Sequence, residues 1–164
     1  MRAQMEESVM DSREERVGMR SGMLTRIDEV FIGLMRAHGA RLLRLALGAV
    51  FVWFGALKII GRSPVADLVA ETIYWVSPDW FVPLLGWWEL AVGLGLLAGV
   101  ALRLTLLLFW LQLAGTFLVL VLRPDLAFQA GNPLLLTVPG EFVVKNIVLI
   151  TAGLVVGSTV PRRS

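Results

Sequence analysis

Four stretches of the chain, 41–61, 82–101, 103–122 and 141–160, are almost free of charge. At about 1.5 Å of helical rise per residue, each spans the roughly 30 Å hydrocarbon core of a bilayer. The fold class that follows is an all-α membrane protein. Its core is a four-transmembrane-helix bundle, with interfacial helices at the N-terminus and between spans. Composition agrees: at 164 residues, 57% hydrophobic with mean hydropathy +0.75, the chain is too apolar for a soluble domain and too short for two. What lies outside the spans is a polar N-terminus and two modest loops. No extramembrane part is large enough to hold its own active site, so chemistry belongs in the bilayer or at its surface.

Composition also closes off several function classes. The net charge is +2, and the basic residues flank spans instead of forming a patch, so nucleic-acid binding has no support. The chain has no cysteine, which removes a disulfide framework, a thiolate metal site and a dithiol relay. The single histidine, His38, lies outside the spans, so haem held between two histidines is excluded too. No covalently bound cofactor and no metal is expected.

Taken in order, residues 1–22 mix arginines and acids with few large apolar residues and read as a disordered or frayed terminus. No apolar run follows the early charges, so no signal peptide is expected. Residues 23–40 carry Met23, Ile27, Val30, Phe31, Leu34 and Met35 at helical spacing, with Arg26, Asp28, Glu29 and Arg36 opposite. This is an amphipathic helix on the cytoplasmic surface, ending at Gly39; a plain linker helix is the alternative. Residues 41–164 form the membrane domain. Within it, Ser63-Pro64 starts a short helix with Val65, Leu68, Val69, Thr72 and Ile73 on one side and Asp67 and Glu71 on the other. The loop from Arg123 to Gly140 is apolar, broken by glycine and proline, and should fold against the bundle. Every proline lies at a span edge or in a loop, so all four helices are expected to be regular.

Lysine and arginine near the span ends set the orientation. Arg26, Arg36, Arg41, Arg44, Arg103, Arg162 and Arg163 gather on the N-terminal side; Arg62, Arg123, Lys58 and Lys145 lie towards the other. Both termini are therefore expected in the cytoplasm, with the chain multi-pass in a bacterial inner membrane.

The second span holds one ionisable side chain, Glu89. An acid at mid-membrane costs about 3 kcal/mol unless it meets a partner. Depth along the helices shows where partners stand. Lys58 lies about 5 Å below the outer boundary, Lys145 about 6 Å and Glu89 about 10 Å. Gln112, Thr116 and Asn146 extend that layer inward, and Glu141 completes a neutral inventory of two bases and two acids. Glu141 and Lys145 are spaced for a local i, i+4 pair. Lys58 is then left for Glu89, or it snorkels outward while Glu89 bonds to Thr116 or Gln112. The cluster is either a structural lock or a ligand site. Trp75, Trp80, Trp87 and Trp88 form an aromatic belt at the start of the second span; the sharper reading makes Trp87 and Trp88, with Trp53 and Phe54, walls for an aromatic ring. Small residues at Ala91, Gly95 and Gly99, and at Gly153 and Gly157, offer close-approach faces to other helices.

These motifs together resemble the DoxX-like superfamily of small four-helix membrane proteins. The resemblance covers about residues 41–157 and rests on Gly48 with Phe51, Phe54-Gly55 with Lys58, Gly86, Glu89 and Gly93, and Gly140-Glu141-Phe142 with Lys145-Asn146. It implies a four-helix bundle, and one branch of the family is the membrane subunit of a thiosulfate:quinone oxidoreductase. On that resemblance the leading expectation is a membrane subunit of a quinone-linked redox complex, with its polar site near the outer face of the bilayer. As the chain has no redox centre of its own, it would need an electron-donating membrane or periplasmic partner. The alternative is a non-catalytic assembly subunit that docks a larger complex, or further copies of itself, through its small-residue faces. A transporter is disfavoured by unbroken helices and small size.

Overall fold

A computed structural model describes residues 2–161, with side chains described from Arg26 onward except Ile27. Arg162 and Arg163, two of the charges behind the expected orientation, lie outside the described residues. The elements are α1 (Arg2–Ile59), α2 (Ala66–Thr72), α3 (Pro78–Ala98), α4 (Leu102–Thr116), α5 (Leu118–Leu122), α6 (Pro124–Ala127), a 3₁₀ turn (Gln129–Gly131) and α7 (Val138–Ser158). Among the described residues, four segments are long and apolar enough to cross a membrane: Asp28–Ile59, Pro78–Ala98, Leu102–Leu122 and Val138–Ser158. The protein is a multi-pass membrane protein.

Contacts divide the chain into two units, Met1–Gly39 and Ala40–Ser164. In the first, the backbone is helical from Arg2, including most of the segment expected to be disordered or frayed. Val30, Phe31, Leu34 and Met35 are exposed, as are Arg26, Asp28 and Glu29 opposite them. The helix expected to stop at Gly39 does not stop there, because α1 continues to Ile59. An interior glycine costs a helix only about 1 kcal/mol relative to alanine, and neither Gly33 nor Gly39 has a neighbour that would force a turn.

The second unit is built by glycines that bring helices together. A Cβ on Gly93 would stand 2.6 Å from the Val52 amide nitrogen and 2.8 Å from the Gly48 carbonyl oxygen. Two turns away, a Cβ on Gly55 would meet the Gly86 carbonyl at 2.6 Å. Helices α1 and α3 thus touch backbone to backbone, as small residues permit in lipid. Gly95 receives Thr105 of α4, and Gly153 of α7 receives Phe109 and Trp110. Gly99, at φ 70°, turns the chain from α3 into α4, with the Arg44 guanidinium packed over it. Gly157 lies against Leu106 and Trp110. The small-residue faces expected to be free for docking are therefore mostly consumed inside this unit; only Ala91 of that set is exposed. Phe109, Leu96, Val92 and Val156 form the fully buried centre, with the Phe51 and Phe109 rings 4.9 Å apart.

Three other details depart from the regular helices expected. Helix α3 begins at Pro78 after Ser77, so Pro83 falls inside it instead of at its start. The third span is interrupted at Phe117, whose amide bonds to the Ala114 carbonyl in a 3₁₀ pattern. The cause is local. Thr116 Oγ1 donates to the Leu113 carbonyl at 2.6 Å, a side-chain bond that competes with the backbone ladder, next to the weak helix former Gly115. Helix α7 starts at Val138, where Thr137 caps it by accepting from the Gly140 amide at 3.1 Å.

Both long connections fold back on the same end of the bundle. The Thr137 hydroxyl donates to the Leu126 carbonyl and the Thr137 amide to the Ala127 carbonyl, which holds α6 against the start of α7 with Ala127 fully buried. Helix α2 packs on α3 and α5. The Arg123 guanidinium fixes it there, donating to the Glu71 carbonyl at 2.9 Å while it pairs with Asp125 at 2.8 Å.

Candidate functional site

Helix α1 carries Lys58 one residue from its C-terminus, and the glycine contacts set α1 so close to α3 that Lys58 reaches the middle of that helix. Lys58 Nζ donates to Glu89 Oε1 at 2.8 Å and to Glu89 Oε2 at 2.7 Å. Gln112 of α4 donates its Nε2 to the same Oε1 at 2.6 Å. The side chains of Lys58 and Glu89 are only 6% and 13% exposed, so this is an ion pair inside the protein. Of the two arrangements open to Lys58, the structure has it paired inward, and Gln112 rather than Thr116 is the second partner of Glu89.

Thr116 belongs to a separate link. It accepts from Asn146 Nδ2 of α7 at 2.8 Å while donating to its own helix. Glu141 and Lys145 form the local i, i+4 pair at 3.2 Å, both well exposed. The seven polar residues of the expected layer thus divide into a trio (buried Lys58 with half-buried Glu89 and Gln112), a pair (half-buried Thr116 with buried Asn146) and an exposed pair (Glu141, Lys145).

All of these residues except Glu141 line a cavity of about 720 Å³ whose walls are otherwise almost wholly apolar. Leu68 and Val69 of α2, with Ile73 just after it, form one wall, and Phe54, Trp88 and Val143 line the helical sides. The periodicity of the short α2 helix was plain in the sequence; that its apolar side faces this cavity was not. Among the four aromatic residues expected beside a ring, Phe54 and Trp88 line the cavity, whereas Trp53 and Trp87 do not and are 68% and 58% exposed. The last two point outward, as belt residues do. Trp88 is held by an indole N–H donated to the Leu108 carbonyl at 3.2 Å.

One polar atom of the cluster is left over. Because a carboxylate only accepts, the NH₂ of Gln112 must face Glu89, and its Oε1 must face away. That oxygen is buried and has no hydrogen-bond partner among the described residues. A buried acceptor without a donor costs about 1–3 kcal/mol, and such atoms mark places where strain or a ligand is to be found.

Arg123 is the functional-looking residue that sequence reasoning passes over, reading it only as a span end and an orientation charge. Its hydrogen bond holds the Asp125 carboxyl below the usual carboxylate range, and its bond to Glu71 ties α2 to the corner between α5 and α6. Chemically, the cluster offers a charge-neutral set in low dielectric. Lys58 has one N–H beyond the two it gives to Glu89, Glu89 has a second oxygen bonded only to Lys58, and Gln112 has a free acceptor.

Comparison with known families gives a match. The model of the DoxX family covers residues 39–122, just over half of the chain, and with them Lys58, Glu89 and Gln112. No curated protein and no solved structure matches.

Proposed function

The chain belongs to the DoxX family, and from that premise we propose that it is a membrane subunit associated with a quinone-linked redox complex, holding a lipid-soluble quinone in the cavity beside Glu89. The observation that carries the reading is a largely apolar space of about 720 Å³ ending on a buried ammonium–carboxylate–amide cluster. That volume falls in the range of roughly 300–1,000 Å³ typical of small-molecule sites, and its pattern is theirs as well: apolar walls with a few convergent polar groups. The unpartnered Gln112 Oε1 fits a ring bearing oxygens that alternate between acceptor and hydroxyl donor.

When bound, a quinone supplies the two-electron, two-proton carrier that the side chains of this protein lack. The residues have separate tasks. Lys58 Nζ is the donor for a ring oxygen, and its ammonium keeps the neighbouring carboxylate in place. Glu89 Oε2, free of Gln112, is the atom that takes up or gives back a proton. Gln112 orients Glu89 through Oε1 and presents its own carbonyl. Phe54 and Trp88 wall the space and keep water from it. Electrons come from a membrane or periplasmic partner carrying a redox centre, in keeping with a site towards the non-cytoplasmic face of a bacterial inner membrane.

Binding of a short-chain benzoquinone to the purified protein in nanodiscs tests this reading. Wild type should bind saturably, and Glu89→Gln and Lys58→Met should each weaken binding at least tenfold, or about 1.4 kcal/mol. Equal binding by all three proteins would remove the site.

A further inference from the structure

Three of the four seams of the bundle are crossed by side-chain hydrogen bonds. Lys58–Glu89 joins α1 to α3. Trp88 to the Leu108 carbonyl and Gln112–Glu89 join α3 to α4. Trp110 to the Ile150 carbonyl and Asn146–Thr116 join α4 to α7. The glycine contacts at Gly55, Gly93, Gly95 and Gly153 close the same three seams. Among the described residues, no side-chain hydrogen bond or ion pair joins α1 to α7.

The cavity wall passes through that remaining seam. Val50 and Phe54 of α1 and Phe142 and Val148 of α7 all line the cavity, and all are exposed, from 39% for Val50 to 67% for Val148. In a membrane-spanning helix, exposed apolar residues face hydrocarbon. The cavity is therefore continuous with the bilayer between α1 and α7. It also reaches exposed residues at Leu111 of α4 and Leu118 of α5, but both seams of α4 are crossed by the side-chain hydrogen bonds just named.

We infer that the ligand enters sideways from the bilayer through the α1–α7 seam, and that it is a lipid-borne molecule whose long apolar tail stays in the seam while its polar ring meets Lys58 and Glu89. This rests on the quinone reading of the site and deepens it, for it makes the tail part of recognition. A ring without a tail forfeits the contacts of Val50, Phe54, Phe142 and Val148, and leaves apolar side chains without a packing partner on one side.

The test uses the full chain in nanodiscs and a benzoquinone whose decyl tail ends in a photoreactive diazirine, with the untailed ring as competitor. Irradiation should label α1 and α7 near Val50 and Val148. With concentrations expressed per lipid to remove the effect of partitioning, the tailed ring should bind at least tenfold more tightly than the untailed one. The double variant Val50→Trp/Val148→Trp, altered only at exposed positions away from the polar cluster, should abolish that difference. Labelling of α3 and α4 near Leu85 and Leu111, no labelling, or no effect of the tryptophans would overturn the lateral route while the quinone site stands. Failure of either ring to bind wild type would overturn both.

Discussion

Replacing Lys58 by methionine keeps the length of the side chain and removes its charge. In the structure Glu89 accepts three hydrogen bonds, two from Lys58 at 2.7 and 2.8 Å and one from Gln112 at 2.6 Å. The variant strands a carboxylate that is 13% exposed with a single amide partner. Removing one member of a buried ion pair costs about 3–5 kcal/mol. Insertion scales put an unpaired acid in the bilayer near +3 kcal/mol, and helices unfolded within a membrane find substitute partners that reduce the difference. Lys58→Met should therefore destabilise by about 3 kcal/mol. Glu89→Gln, which strands the ammonium instead, should cost somewhat less, since a lysine stem can reach towards the interface. The double variant carries no stranded charge and should lie within about 1 kcal/mol of wild type, because a neutral pair of similar shape often replaces a buried ion pair at little cost. Steric-trap unfolding in bicelles measures all four corners of this cycle. The expected coupling exceeds about 2 kcal/mol. Single variants within about 0.5 kcal/mol of wild type, or a double variant that sums the singles, would refute the internal ion pair.

Further expectations follow from the same contacts. Gly93→Leu should destabilise by at least about 2 kcal/mol, since its Cβ meets backbone of α1, whereas Gly115→Ala, with nothing within 4 Å, should be neutral or stabilising in the same assay. Asn146→Leu and Thr116→Val should each cost only about 0.6 kcal/mol, the average for a hydrogen bond between membrane helices, and little more when combined. For Asp125, whose carboxyl is held down chiefly by the Arg123 hydrogen bond, the sign is that of a depressed acid. The interaction is present above the ordinary aspartate value of about 3.9 and is lost as pH falls through the lower folded value. Carbon-detected NMR should find Asp125 titrating below its usual range in wild type and within it in Arg123→Gln. Hydrogen exchange in α2 should quicken in the same variant.

Much of this was legible from the residues because lipid makes charge conspicuous. Glu89 stands alone in its span, and few groups lie at its depth, so the sequence offers Lys58 as its partner, with Thr116 or Gln112 as the alternative; the structure has Lys58 and Gln112 together. Thr116 looked equivalent to Gln112 by depth. What excluded it is its hydroxyl, which is spent on the Leu113 carbonyl, and a threonine bonding back to its own helix leaves no mark in the sequence. The four spans were visible for the same reason, but their limits were not. Gly39 carries a stop signal that α1 ignores, and Pro83 a start signal that Pro78 pre-empts. The glycines were recognised as close-approach residues, yet which helix each would meet depends on register across space. Gly48 and Gly55 pair with Gly93 and Gly86, and that uses the close approach inside the bundle instead of offering it to a partner. Trp87 and Trp88 are adjacent, so only the rotation of α3 decides that one sees the bilayer and the other the cavity.

The most direct measurement of the central claim is the infrared difference spectrum of a carbonyl-labelled quinone bound to the protein in nanodiscs. If Lys58 meets a ring oxygen, the bound carbonyl stretch should fall below its value in lipid alone, and Lys58→Met should return it there. A wild-type spectrum indistinguishable from that of quinone free in lipid would contradict the account.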